Sequence, residues 1–581
     1  MKPYCLLLVF AVLLSCETQQ VDQVADFQTH FELSNGNETA TYLQTIDFYI
    51  RLAREVPEIN IQTIGETDSG LPLHIVTYNA DGDFNYQKVG ENKVIVLINN
   101  GIHPGESDGV DATMLLFRDL AIKKVSPPEQ TILVTIPMYN VGGALNRNSS
   151  TRVNQNGPKS YGFRGNTKNY DLNRDFIKSD SKNAKTFAQI YHLIQPDIFV
   201  DNHVSNGADY QYTLTHLFTQ HNKLGGAIGD FLHSKMMPQL EQDLVSENWE
   251  ITPYVNVFNR PPENGFSQFM DHPRYSTGYT ALWNTLGLMV ETHMLKPYEQ
   301  RVEGTYTLLT KILEISEKNA SEIKKLRTDS WQRHKSWTHY PVAWKVDSSK
   351  VTRLNFKGYK ADTITSLVTG FPRLRYDRSQ PFTKEVVYMN YYHPADSVSI
   401  PRGYILKKGW DKIVELLELN NIEFTRLDKD TLLNVESYKI DHYQTTSSPY
   451  EGHYLHYNTS VLKSTKELGF KQGDILILTD QPGIRYLLET LEPQAVDSFF
   501  NWNFFDPILQ RKEGFSPYVF EDLAAAILEK DEGLREAFDL KRETDEEFAQ
   551  SWYAQLSWVY ERSEFYEAAH LQYPVFRIPA Q

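Results

Sequence analysis

Cysteine is nearly missing from this chain of 581 residues: Cys5 and Cys16 are the only two, and both lie at its start. A fold stapled by disulfides is therefore excluded, and stability must come from core packing. A basic balance is missing as well. Lys and Arg number 58 against 74 Asp and Glu, for a formal charge of −16. No basic stripe offsets it, which excludes nucleic acid as a partner, because phosphate recognition needs one. There is no long low-complexity tract, no internal repeat and no heptad series, so solenoids and coiled-coil rods are excluded too.

What is present is the composition of a globular protein, 41% hydrophobic and 23% charged, long enough for two or three domains. The chain begins with Lys2 and an apolar run from Cys5 to Leu14. That run is short of the roughly 20 residues that a membrane-spanning helix needs. It reads as a secretory signal over residues 1–15. Leu13-Leu14-Ser15-Cys16 resembles the lipobox of bacterial lipoproteins, in which the cysteine becomes the acylated first residue. This implies a membrane partner through a lipid anchor on Cys16, a polar tether over 16–26, and export to a bacterial cell envelope. An ordinary signal peptide with a chance cysteine is the alternative.

Residues 27–335 alternate strand-like apolar runs with helical patterns, an α/β layer architecture. Helices are expected over Thr41–Arg54, Val110–Lys123 and Ala184–Ile194, with a long one from Pro297 to Leu326. Strands are expected over Leu73–Tyr78, Lys93–Asn99, Thr131–Pro137, Ile198–Asp201 and Gly287–Glu291. The stretch 340–400 is rich in Thr, Val and aromatics and reads as a β module. From 401 to 581 the pattern is mixed: Pro401–Leu406 strand-like, Trp410–Asn420 helical, Ile422–Leu427 strand-like, and Phe520–Glu567 mostly helical.

Four polar residues stand out at predicted strand ends, where open α/β sheets gather their sites. His103 and Glu106 follow the run Lys93–Asn100, His203 follows Asp197–Asn202, and Glu291 closes Leu288-Met289-Val290. Two imidazoles and one carboxylate are the set a catalytic zinc uses while keeping its fourth position open. A carboxylate inside an apolar strand is costly unless it has a cation or a task. Between these points lie Arg164 and the run Tyr170-Asp171-Leu172-Asn173-Arg174. Such a loop is either solvated or built for anion recognition, since arginine matches a carboxylate with two parallel hydrogen bonds.

The ordered set His103-x-x-Glu106, Arg164, Asn173-Arg174, His203 and Glu291 resembles the zinc carboxypeptidase family typified by carboxypeptidase A, over roughly residues 27–335. The segment Ile64–Leu73 adds to the likeness. The resemblance implies a mixed central sheet flanked by helices, with one Zn²⁺ per chain held by His103, Glu106 and His203. It implies Glu291 as general base, Arg164 at the oxyanion with Arg152 as competitor, and Asn173 and Arg174 as the clamp for a peptide substrate's free C-terminal carboxylate. A tyrosine upstream of Glu291 is also implied; Tyr275 and Tyr279 are the candidates, with Tyr279 ranked slightly ahead.

The family's digestive members carry an arginine just before the ligand glutamate, where this chain has Gly105. One substrate-binding charge is therefore expected to be missing. His293, two residues past Glu291, is expected to support or pack rather than react. Glu451, His453 and His456 make an E-x-H-x-x-H cluster without a third anchored ligand, which favours structural histidines over a metal site. The aromatic run around Phe499–Phe505 reads as core, with a carbohydrate or peptide groove as the lesser alternative. The competing functions are an N-acyl amino acid deacylase of the aspartoacylase type, which shares the same motifs, and a surface binding lipoprotein whose peptidase domain is degenerate.

Overall fold

A computed structural model describes residues 27–580. The signal segment, Cys16 and the tether lie outside the described residues. Among those described, no helix is long and apolar enough to cross a membrane.

Up to residue 335 the apolar runs become β1 (Ile59–Glu66), β2 (Pro72–Tyr78), β3 (Val94–Asn99), β4 (Thr131–Ile136), β5 (Ile198–Ser205), β6 (Leu214–Phe218), β7 (Ile251–Pro253), β8 (Phe266–Ser267) and β9 (Leu286–His293). All but β8 form one eight-stranded sheet in the order β1-β2-β4-β3-β5-β9-β6-β7. The central neighbours β4–β3, β3–β5 and β5–β9 run parallel, while β1–β2, β2–β4 and β9–β6 are antiparallel. The sheet is thus mixed. Every residue of β3, β4 and β5 is buried, because both faces are covered, and such strands read as unbroken apolar runs.

The flanking helices include α1 (Tyr42–Glu55), α2 (Asp108–Ala121), α3 (Lys182–Ile194), α4 (Tyr298–Lys318) and α5 (Ala320–His334). The α1 helix starts at a reciprocal cap in which Thr41 Oγ1 accepts the Gln44 N–H and the Gln44 side chain accepts the Thr41 N–H, a motif worth about 1 kcal/mol. The single helix expected from Pro297 to Leu326 is two. Asn319 leaves helical geometry (φ −110°, ψ 15°), and its Nδ2 donates to the Ile315 carbonyl at 2.8 Å. A side chain that satisfies a C-terminal carbonyl makes the break cheap. Fully buried Arg301 on α4 pairs with Asp108 at the start of α2. Removing one partner of such a pair typically costs about 3–5 kcal/mol, because the other charge is left buried and alone.

Beyond this sheet come β10 (His339–Val346), β11 (Thr352–Thr365), β12 (Pro372–Met389) and β13 (Tyr392–Ser399). They are not one sheet: β10 pairs with β13, while β11 and β12 form a long hairpin whose base pairs with β8. Phe356, Val386 and Tyr388 of the hairpin pack on Tyr210, Tyr212, Val255 and Phe266. The last region holds β14 (Gly403–Leu406), α6 (Asp411–Leu419), β15 (Thr425–Arg426), β16 (Thr431–Thr445), β17 (His456–Phe470), β18 (Ile475–Leu478), α7 (Ile484–Leu491) and β19 (Val575–Ile578). Its six-stranded sheet has the order β15-β18-β14-β19-β16-β17. The strand expected over Ile422–Leu427 shrinks to two residues. Helices Pro517–Lys530, Glu532–Thr544, Glu546–Ala549 and Trp552–Tyr560 make a separate small core.

Phe499, Phe500, Trp502 and Phe505 are fully buried, so the aromatic run is core rather than a groove. That core is continuous with the one beneath the first sheet; Trp283 and Tyr486 meet across the seam with ring centroids 5.6 Å apart.

Candidate active site

After β3 the chain turns at Gly101 (φ +67°) and places His103 and Glu106 on a loop, while His203 stands within β5. All three are buried, and their ligand atoms lie within 4.8 Å of one another, the only such triplet among the described residues. His203 Nδ1 is 3.1 Å from Glu106 Oε2. His103 Nδ1 is 3.2 Å from the same oxygen but out of line for a hydrogen bond, and it has no other partner. Each ring is tied through Nε2 to a carboxylate: His103 to Asp171 Oδ1 and His203 to Asp201 Oδ2, both at 2.9 Å. Imidazoles held this way present Nδ1 to a common point, which is how carboxylates orient metal-ligating histidines. An orphaned buried nitrogen, a second imidazole and a carboxylate fit Zn²⁺. Asp201 and Glu106 overcome the effect of burial and hold the His203 imidazole well above its ordinary pKa, so the site is built to receive positive charge.

Glu291 lies on β9 directly beside His203 in the parallel register. Burial is the main cause of a rise in its pKa to about 8; His203 and Arg164 pull it down and Glu106 pushes it up. A carboxyl group poised near neutrality can take a proton and give it back. The cleft in front of it, about 230 Å³, is lined by Arg164, Asn173, Arg174, Tyr254 and Tyr275 as well as the triplet. Its apolar wall comes from Leu217 and Met289, a direct cross-strand pair of β6 and β9, with Phe269 beside them. Met289 is two residues before Glu291 and so shares its face of the strand.

Arg174 rests against the Tyr275 ring, 4.6 Å from its centroid. Among the described residues its nearest carboxylate oxygen is Asp171 Oδ2, at 4.0 Å. Asn173 Oδ1 accepts the Ser276 N–H at 3.4 Å, which leaves its Nδ2 donors for a guest. Arg164 donates from Nε to Asp171 Oδ2 at 3.0 Å and stands 3.5 Å from Glu106 through Nη1. Arg152 binds the other side of the set, with Nη2 2.9 Å from Glu106 Oε1 and Nε on Gln155; it does not line the cleft. Gly105 is explained by the same residue. A Cβ there would lie 2.4 Å from Arg152 Cδ, so the Arg152 side chain fills the space that a residue at 105 would need.

Tyr279 is a correction. It is 1% exposed, packed edge-on against Phe187 and Tyr191 and tilted against Trp283, and its hydroxyl donates to Asn420 Oδ1 at 2.6 Å. It packs, and Tyr275 is the tyrosine of that pair in the cleft. His293 also stands back: its Nε2 meets Asp209 Oδ1 at 3.0 Å and its ring stacks on Tyr210. The E-x-H-x-x-H cluster does not converge, since His453 binds Asp180 and His456 binds Asp506. A larger cavity of about 600 Å³, beside Trp331 and Trp337, holds no comparable set of reactive groups.

Sequence reasoning missed Tyr254, Asp171, Asp201 and the Leu217–Met289 pair. Asp171 and Asp201 each stand two residues before a recognised site residue, which was a usable signal. Tyr254 follows a three-residue edge strand and had none.

Residues 45–205 match the model of the zinc carboxypeptidase family. Carboxypeptidase 2 of Trichophyton rubrum is 20% identical over 493 residues, 80% of this chain and 84% of that protein. Carboxypeptidase 2 of Trichophyton equinum is 21% identical over 442 residues, 71% and 74%. Among solved structures, a metallo-carboxypeptidase from Burkholderia cenocepacia shares 16% identity over 46% of this chain and 66% of its own (TM-score 0.35). Carboxypeptidase A from Helicoverpa armigera shares 12% over 50% and 74% (TM-score 0.36). The matched segment contains His103, Glu106 and His203 but stops short of Glu291, whose place rests on its register with His203. Residues 45–205 thus match a zinc carboxypeptidase domain, and they include the buried His103–Glu106–His203 triplet that could hold a metal ion.

Proposed function

We propose that this protein is a zinc-dependent carboxypeptidase that removes an apolar residue from the C-terminus of peptides. One observation carries the exopeptidase reading: Arg174, in the same cleft as the metal triplet and Glu291, has among the described residues no carboxylate oxygen closer than Asp171 Oδ2 at 4.0 Å. A guanidinium so placed is completed by the free carboxylate of a guest.

His103, Glu106 and His203 would hold Zn²⁺, which would supply Lewis acidity and lower the pKa of a water at this point. Arg174 binds the terminal carboxylate, with Nδ2 of Asn173 adding a neutral donor. The terminal side chain then meets Leu217, Met289 and Phe269, a wall without charge that favours apolar residues. A Glu291 carboxylate oxygen takes the proton of the attacking water and returns it to the leaving amine. Arg164, whose guanidinium lines the cleft, donates to the oxygen that gains charge, an interaction often worth about 3 kcal/mol.

The test is zinc content together with hydrolysis of blocked dipeptides that differ only in a free or amidated C-terminus. Zinc-dependent cleavage of the free acid alone, faster for a terminal Phe or Leu than for Lys or Asp, is the expected result. Cleavage of N-acyl amino acids alone would replace this reading with the deacylase, and binding without turnover would replace it with a binding lipoprotein.

For location, we infer attachment to a bacterial envelope through Cys16, supported by Leu13-Leu14-Ser15-Cys16. Mass spectrometry of the mature N-terminus reads this directly: an unmodified end at another residue would remove it.

A further inference from the structure

We propose that Glu451 and Asp497, in the C-terminal α/β region, are positioning residues that fix the loops which read the substrate carboxylate. This deepens the carboxypeptidase reading and rests on it.

The contacts run to both sides of Arg174. On one side is the turn between β16 and β17. There Glu451, in left-handed geometry (φ +50°), accepts the backbone N–H of Asp171 at 2.8 Å through Oε2. Asp171 is the hub of the site: its Oδ1 takes His103 and caps the Asn173 N–H at 2.9 Å, and its Oδ2 takes Arg164. The next residue, Gly452 (φ +83°), lies so close to Tyr170 that a Cβ would stand 2.8 Å from the ring. His453 completes the turn's grip through Asp180 at 2.7 Å, which also takes Lys178 at 2.9 Å.

On the other side is fully buried Asp497. It accepts the Arg274 backbone N–H and Nε–H, and Arg274 Nη2 lies 2.8 Å from its Oδ1. Trp502 Nε1 donates to it at 3.2 Å, and the same indole lies 5.1 Å from the Arg274 guanidinium. Arg274 immediately precedes Tyr275, the ring on which Arg174 rests. Neither Arg174 nor Tyr275 is on a strand of the main sheet; within the first region their loops are tied by the Asn173–Ser276 and Phe176–Arg274 contacts and by the Ser276 hydroxyl on Asp201. The second region adds a hold on each loop from outside, through charge-assisted bonds that are roughly twice as strong as neutral ones.

The main test compares Glu451→Ala with Glu451→Gln in the zinc-loaded full chain, using a free-acid dipeptide and, separately, titration with phenylalanine as product. Glu451 is half-buried, so the variants are expected to fold. The alanine variant should raise KM about tenfold with kcat within about threefold and with zinc content unchanged. Glutamine, which keeps an acceptor oxygen, should restore most of the loss. Asp497→Asn should shift KM in the same sense, and Asp497→Asn combined with Arg274→Gln should do no more than either alone, because both act through one contact. If Asp497→Asn does not fold, Trp502→Phe removes the indole donor while leaving an aromatic ring at that position.

Unchanged KM in Glu451→Ala, or a loss wholly explained by fewer zinc-loaded molecules, overturns the proposal. Absence of turnover in the unaltered protein would instead overturn the proposed function; the phenylalanine titration then still decides this inference, through a tenfold weaker or an unchanged Kd.

Discussion

The reactive centre and the carboxylate clamp are built differently. His203 and Glu291 stand side by side on parallel strands in the middle of a sheet covered on both faces. Arg174 and Tyr275 lie off the sheet, and two of the carboxylates that hold their segments, Glu451 and Asp497, belong to another region of the chain. Sheet register gives precision without help, whereas a loop needs a partner to hold it. Chemistry and recognition are therefore separable here, and substitutions should split them.

The largest effect is expected from Glu291→Gln. It should cut kcat by about 10³-fold with zinc content and product binding unchanged, read by steady-state kinetics and metal analysis. An unaltered rate would remove the proton-transfer role. Next is Arg174→Ala, which should raise KM by about 10²-fold for free-acid substrates, as loss of a charged ligand contact does, with zinc content unchanged. A loss confined to kcat, with KM unaltered, would merge recognition with chemistry.

Asp201→Asn acts first on the sheet-borne half of the metal set, through His203, and secondarily on the Ser276 hydroxyl beside Tyr275. Zinc affinity should fall about 10- to 100-fold, measured by competition with a chelator, with a smaller change in the KM of the zinc-saturated enzyme. The smallest effect concerns the seam. Buried Glu489, whose Oε1 accepts the Tyr340 hydroxyl, has its pKa raised to about 7, chiefly by burial. Between the ordinary carboxylate range and pH 7 the folded state keeps a proton that the unfolded chain has released, so this group's contribution falls as pH rises through that window. Glu489→Gln should therefore gain stability relative to the unaltered protein between pH 5 and 8 in urea melts, by on the order of 1 kcal/mol. A constant difference across that range would place the pH response elsewhere.

The same division explains what could be read from the sequence. The mixed sheet and its helices were legible because buried strands appear as apolar runs. His103, Glu106, His203 and Glu291 were legible because a polar residue at the end of such a run is conspicuous. The two-helix break at Asn319 was not, since an asparagine inside a helical pattern becomes a stop only through the carbonyl it caps. Tyr279 was misplaced because its spacing resembles that of Tyr275, and only packing against Phe187 and Trp283 separates them. Glu451 and Asp497 lie 280 and 223 residues from their partners Asp171 and Arg274, and no local pattern encodes a contact of that range.

Gly105 looks, in the sequence, like a lost arginine. In the fold its place is already occupied, since the Arg152 stem crosses where a Cβ would be and its guanidinium reaches Glu106. The two positions are therefore not independent characters. A large side chain at one excludes a large side chain at the other, so exchange between the two arrangements must pass through a chain that has neither or changes both together. In other chains of this fold, the residue before the ligand glutamate should predict what stands at the position of Arg152, and a lone Gly105→Arg should be rejected here unless Arg152 is shortened with it.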